Sequence, residues 1–181
     1  MPLSLSLESR TLEELRKFSD TFVETGTHLG GGVQSALEAG FEVIMSCELD
    51  PALFKAARYL VELNPVGREK VRLFLGDSAT LLPEMLRMCG KPSVVFLDAH
   101  REEAEGITPS FPLELEFRAL LSAPRRDHMI LVDDVDLCGK PQMAGVTLDD
   151  IKGRLMQIFP LYKFSRLWGA RHESLLVADP R

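Results

Sequence analysis

The sequence predicts a doubly wound α/β domain: a mostly parallel sheet with helices on both faces and an antiparallel hairpin at its C-terminal edge. Three observations predict it. Short apolar runs alternate with helix-patterned segments five times between residues 21 and 158, and such alternation builds parallel strands joined by crossover helices. A glycine-rich bend, Gly26-Thr27-His28-Leu29-Gly30-Gly31-Gly32, separates the first run from its helix. The last two runs, residues 161–168 and 173–178, are joined only by residues 169–172, too short for a crossover and suited to a hairpin.

The elements follow in order. Thr11-Leu12-Glu13-Glu14 has a capping-box pattern that predicts a short helix to about Phe18, inside an N-terminal helical segment of residues 1–19. Residues 21–25 are the first strand. The next helix covers about 31–39 and stops at Gly40. Residues 41–47 are the second strand. Asp50-Pro51 then supplies an N-cap and a proline at the first helical position. Leu53, Ala56, Ala57, Leu60 and Leu63 mark one face of that helix, which ends at Asn64-Pro65. Residues 71–75 are the third strand, closed by Gly76-Asp77-Ser78, and a helix covers about 80–88 with Met85 and Met88 read as core. Residues 93–97 are nearly all apolar, as in a strand buried on both faces. A polar loop over 101–110, a helix over 112–121 and a fifth strand over 128–132 follow. The helix over 147–158 opens with Thr147 and Asp150 spaced as a capping pair. Trp168, in the hairpin, is read as core.

A chain of 181 residues suits one domain with a sizeable core, so residues 1–181 are read as a single unit. A net charge of −6 gives no basic footprint, and no nucleic-acid partner is expected. Cys47, Cys89 and Cys138 are odd in number, far apart and without a CxxC. That argues against a disulfide framework or a zinc site and makes the cytoplasm the expected compartment. No apolar run approaches the roughly 18 residues of a membrane span, and the start lacks a signal-peptide pattern, so no membrane partner is expected.

Polar chemistry collects at the carboxyl ends of the strands: Glu24, Glu48, Asp77, Asp98, His100, Asp133 and Asp134. Ligands of doubly wound sheets bind at that rim, at the point where strand order reverses. The glycine bend allows close backbone approach and aims the first N–H groups of its helix at a ligand. A tight turn without a ligand is the competing reading. No GKS or GKT is present, which excludes a P-loop, and Gly30-x-Gly32-x-x-Ser35 only approximates a dinucleotide fingerprint. Glu48 has acceptor sites for two vicinal ribose hydroxyls, or is a solvated strand-end acid. Asp77-Ser78 can meet an adenine edge, or supply a helix N-cap at Ser78, and the two roles are compatible. Asp133-Asp134 are either strand-end caps or oxygen ligands of a cation. Asp134-x-Asp136 also matches the D-x-D of glycosyltransferases, but the glycine loop comes far too early for that fold.

Five segments, taken in order, carry a resemblance. They are Val23-Glu24-Thr25-Gly26-Thr27-His28-Leu29-Gly30, Glu48-Leu49-Asp50-Pro51, Leu75-Gly76-Asp77-Ser78, Phe96-Leu97-Asp98-Ala99-His100 and Leu131-Val132-Asp133-Asp134-Val135. Their order resembles the class I S-adenosylmethionine-dependent methyltransferases, with their Rossmann-like fold. Among these it is most similar to the small metal-dependent O-methyltransferases of the catechol, caffeoyl and macrolide-sugar types. The resemblance spans roughly residues 21–135, and the terminal hairpin is also as that family has it. It implies S-adenosylmethionine as cofactor. Glu24, Gly26, Thr27 and Gly30 would surround its methionine portion, Glu48 with Leu49 would meet the ribose, and Asp77 with Ser78 the adenine. Asp98 would face both cofactor and cation. In metal-dependent members the positions of Asp98, Asp133 and Asp134 hold Mg²⁺ or Ca²⁺. Converging carboxylates call for such a hard cation, and the few histidines argue against zinc.

Two departures stand out. The family's third metal position is commonly Asn, where this chain has Asp134. Catechol-type enzymes place a lysine base three residues after the strand-four Asp, where this chain has Arg101, which does not deprotonate. His100 is then the candidate base, or a loop histidine that shapes the pocket. The expected activity is methyl transfer to a hydroxyl of a small molecule, with Mg²⁺ assistance. The alternatives are a protein that binds S-adenosylmethionine or S-adenosylhomocysteine without methylating, and an NAD-dependent oxidoreductase. With about 20 residues before the first strand, the acceptor side is either open or covered by a second copy in a homodimer. The acceptor-side loops, 101–112 and 136–146, carry Arg101, Glu102, Glu103, Glu105 and Lys140, a polar set that suits a hydroxylated acceptor.

Overall fold

The computed structural model describes residues 7, 9–99, 112–140, 143, 145–169 and 171–181. The elements are α1 (Ser9–Arg16), β1 (Thr21–Thr25), α2 (Gly31–Glu38), β2 (Val43–Glu48), α3 (Pro51–Leu63), α4 (Pro65–Lys70), β3 (Val71–Leu75), α5 (Ser78–Met88), β4 (Val94–Leu97), α6 (Leu113–Ser122), β5 (Met129–Val132), a 3₁₀ turn at Val135–Leu137, α7 (Leu148–Ile158), β6 (Lys163–Leu167) and β7 (Leu175–Asp179). The seven strands form one sheet in the order β3-β2-β1-β4-β5-β7-β6. β1 to β5 pair in parallel, and β7 runs antiparallel to both β5 and β6. The order reverses between β1 and β4, which opens the crevice at their carboxyl ends.

Strand alternation sorts the core into two layers. Phe22, Ile44, Val94, Met129 and Leu131 face Leu12, Leu15, Val33 and Ala36 of α1 and α2. Val23, Met45, Val95, Ile130 and Val132 face Leu82, Met85, Leu86, Leu120, Ile151 and Leu155 of α5, α6 and α7. Both faces of the central strands are covered, so these strands are apolar along their length.

Several sequence expectations change. Helix α1 begins at Ser9, so Thr11 lies inside it and is not a cap, and Glu14 pairs with Lys17 at 2.5 Å. Asn64 does end α3, but its side chain also accepts from Val66 N and Gly67 N and starts α4, a helix the Asn-Pro stop signal concealed. Asp77, not Ser78, caps α5, accepting from Ala79 N at 3.0 Å. In α3 only Ala57 is buried, and Leu60 and Leu63 are 50% and 62% exposed. The helix lies over the sheet edge formed by β3, where little is left to cover it. Met88, in the last turn of α5, and Trp168, beyond the end of β6, are exposed rather than core. Trp168 stands edge-on to His172 with ring centres 4.4 Å apart. Among the described residues, no helix is long and apolar enough to cross a membrane.

Candidate functional site

The glycine bend is stitched to the neighbouring strand end: Gly26 N and Thr27 N both donate to Cys47 O, at 2.9 and 3.0 Å. Gly26 has a left-handed φ of +83°, and a Cβ there would collide with the backbone carbonyl of Asp98. The loop after β1 and the end of β4 are therefore in backbone contact across the crevice, a closeness that only glycine permits. Gly30, also left-handed, starts α2 without a side-chain cap.

Beneath the bend lies a buried polar chain. Ser46 Oγ donates to Glu24 Oε2 at 2.6 Å, and Thr27 Oγ1 and Ser46 Oγ are hydrogen-bonded at 2.6 Å. A Cβ on Gly32 would strike the Glu24 carboxylate, so Gly32 exists to let α2 sit over this acid. Burial pushes the Glu24 carboxyl up to about 8, partly offset by the Ser46 hydrogen bond, with the nearby Glu48 charge adding to the rise. Glu24, read from sequence as a cofactor-loop residue, is thus largely neutral at pH 7 and forms the floor of the bend. Ser46 was missed, although a lone serine inside the apolar run of β2 was its visible signal.

Glu48 joins two turns at once. Its Oε2 accepts from His28 N at 2.7 Å and its Oε1 from Asp50 N at 2.9 Å. The Glu48 carbonyl accepts from Gly76 N at 2.8 Å, which brings the β3 end to the same rim. Leu49 is exposed beside it, Ser78 is buried, and Asp77 is an exposed cap. The cofactor-side residues expected from sequence therefore lie on adjoining strand ends.

The acceptor side is built by β4, β5 and the hairpin. Asp98 N is held by Thr25 O and Thr25 Oγ1, at 3.2 and 3.3 Å. Leu97, Ala99, Leu113, Glu116, Val132 and Asp133 line a small recess between the ends of β4 and β5. Glu116 is 1% exposed. Its helical spacing from Leu113 and Leu120 could have flagged an acid on the inner face of α6. Asp133 accepts from Asp134 N at 2.8 Å and from Ser174 Oγ at 3.4 Å. Arg171, from the β6–β7 turn, donates through Nη2 to Asp134 and through Nε and Nη2 to Asp136, the latter pair at 2.8 and 3.0 Å. No sequence signal marked Arg171, because its partners lie 35 and 37 positions away.

Asp98, Asp133 and Asp134, the positions expected to hold a metal ion, stand at the ends of β4 and β5. Among the described residues, no group of three or more His, Cys, Asp or Glu side chains could hold a metal ion. Asp134 is turned toward the Arg171 guanidinium and carries a left-handed φ of +57°. His100, the candidate base, lies outside the described residues, as do residues 101–111 of the acceptor-side loop.

No family model matches the sequence, and no curated protein matches it. Solved structures do. The O-methyltransferase TomG from Streptomyces achromogenes, in complex with SAM, is 17% identical, with 94% of this chain and 78% of that one covered and a TM-score of 0.64. An O-methyltransferase from Bacillus cereus in complex with SAH is 15% identical, over 94% and 80%, at 0.65. Cofactor-bound Rv0187 from MTB is 21% identical, over 96% and 79%, at 0.61. The fold is that of the class I methyltransferases. The strand order with its reversed last strand, and the crevice between β1 and β4, are the features of that fold that place Gly26, Glu48 and Asp98 on one rim.

Proposed function

We propose that this chain transfers a methyl group from S-adenosylmethionine to a hydroxyl of a small molecule. The observation that supports this best is the crevice at the β1–β4 switch point. There a glycine bend presses against the end of β4 and a carboxylate bridges the two neighbouring turns. Neighbours in fold include an O-methyltransferase in complex with SAM and another in complex with SAH.

When bound, S-adenosylmethionine supplies a methyl carbon activated by a sulfonium; the acceptor oxygen takes it, the C–S bond breaks to a thioether, and the hydroxyl proton is released. The chain's work is alignment and exclusion of water, which can lower a barrier by as much as about 7–11 kcal/mol. The bend around Gly26 would take the methionine portion. Each Glu48 oxygen already accepts one backbone N–H and keeps a lone pair for a ribose hydroxyl. Asp98, at the end of β4, would place negative charge near the sulfonium. The recess beside it, with apolar walls and the acids Glu116 and Asp133, has room for about one water and would border the acceptor rather than hold it. Proton removal falls to His100 in this reading.

Calorimetric titration with S-adenosylmethionine, S-adenosylhomocysteine and NAD tests the cofactor class. Glu48→Ala is expected to weaken S-adenosylmethionine binding by roughly 10- to 100-fold, equivalent to about 1.4–2.7 kcal/mol. Selective NAD binding would overturn the reading, and an unchanged dissociation constant in the variant would remove Glu48 from the ribose. Mass-spectrometric detection of methyl transfer onto a panel of hydroxylated acceptors separates an enzyme from a silent binder.

A further inference from the structure

We propose that Arg171 is the resident cation of the acceptor-side rim, standing where metal-dependent enzymes of this fold would hold a divalent ion, so that the rim works without one. Asp133, Asp134 and Asp136 crowd three carboxylates into four positions at the end of β5, and such crowding calls for positive charge nearby. The chain supplies that charge itself. β5 and β7 are antiparallel with Val132 opposite Leu176, so the β6–β7 turn returns to the carboxyl end of β5. There Arg171 forks onto both oxygens of Asp136 and reaches Asp134 with the same guanidinium.

Exposed ion pairs contribute little as a rule, but this one departs from the rule in two ways. Its geometry is bidentate, and Asp134 is a buried residue. The turn is also anchored independently, since Val135 N donates to Ser174 O at 2.9 Å and Ser174 Oγ donates to Asp133 at 3.4 Å. A guanidinium stays charged at every physiological pH. The counter-charge at Asp134 and Asp136 is therefore constant, and a divalent ion would have to displace it. Arg171 is a positioning residue: it ties the hairpin to the strand end that borders the acceptor-side recess.

The inference rests on the methyl-transfer reading only for its consequence for turnover; the cation behaviour is tested on the whole chain by itself. Thermal midpoints of wild type, Arg171→Gln and Arg171→Lys are measured with MgCl₂, CaCl₂ or EDTA against NaCl at matched ionic strength. S-adenosylmethionine titrations are run with and without EDTA. The wild-type midpoint and cofactor affinity should be the same in all conditions. Arg171→Gln should melt several degrees lower, and CaCl₂ should restore part of that loss, because Asp134 and Asp136 have lost the guanidinium they share. Arg171→Lys, with a point charge in place of the fork, should fall between. A wild-type midpoint that rises with Mg²⁺ or Ca²⁺, or an Arg171→Gln chain indifferent to both, overturns the proposal. Where Arg171→Gln does not fold, Arg171→Lys decides: a partial Ca²⁺ response supports the proposal and none overturns it. If wild type binds no S-adenosylmethionine, the methyl-transfer reading fails while the cation result stands.

Discussion

The two sides of the rim owe their order to different parts of the chain. On the cofactor side, the bonds that shape the pocket join Thr27 to Ser46, His28 to Glu48 and Ser46 to Glu24, over 19 to 22 residues. That separation is one strand-helix-strand step. On the acceptor side, Asp98 rests on Thr25 over 73 residues, Asp133 on Ser174 over 41 and Asp134 on Arg171 over 37. The cofactor side is a local product of one repeated unit. The acceptor side is assembled by the sheet as a whole, and its chemistry depends on which remote segment arrives there.

Two glycines offer the sharpest way to break this comparison. Gly26 and Gly139 have nearly the same left-handed φ, +83° and +79°, but a Cβ on Gly139 meets nothing within 4 Å. Alanine at either position pays the backbone cost, while only Gly26→Ala also drives a methyl into the Asp98 carbonyl. Gly26→Ala should lose on the order of 4 kcal/mol of stability and Gly139→Ala about 1 kcal/mol, read as denaturation midpoints. Equal losses would mean that the bend and β4 do not need their close contact.

The buried acid gives the next effect. The Glu24 carboxyl sits at about 8 in the folded chain against an ordinary 4.5. Between those values the folded state keeps a proton that the unfolded state releases. The contribution is thus complete below about pH 4.5 and is lost as pH rises through 8. Glu24→Gln, which stays uncharged, should remove that slope. The stability difference between variant and wild type should grow across this window, to on the order of 3 kcal/mol in favour of the variant. A constant difference would place an ionised carboxylate under the bend.

What was legible in the sequence follows the same division. The parallel strands, the reversed hairpin, the glycine bend and the rim position of Glu48 could be read because each is written in neighbouring residues or in one repeat. The failures were of two kinds. Thr11 and Ser78 carried local cap signals that their positions overrode: Thr11 lies inside a helix that begins at Ser9, and Asp77 takes the cap of α5. The second was Arg171: nothing in the residues around Asp134 announces the guanidinium that the hairpin delivers to it. A carboxylate's identity is local, whereas its partner is set by topology.

Asp77 offers the smallest and most discriminating effect, because it separates structure from recognition on the legible side. Its Oδ1 accepts from Ala79 N at 3.0 Å and caps α5. Asp77→Ala should cost about 1 kcal/mol of stability, the ordinary worth of an N-cap. Asn caps as well as Asp, so Asp77→Asn should keep that stability. If the carboxylate also meets the adenine amino group, Asp77→Asn alone should weaken S-adenosylmethionine binding several-fold, since the amide can still cap but offers one acceptor oxygen in place of two. Unchanged stability with unchanged affinity would assign Asp77 to the helix and leave adenine recognition to the backbone around Gly76 and the buried Ser78.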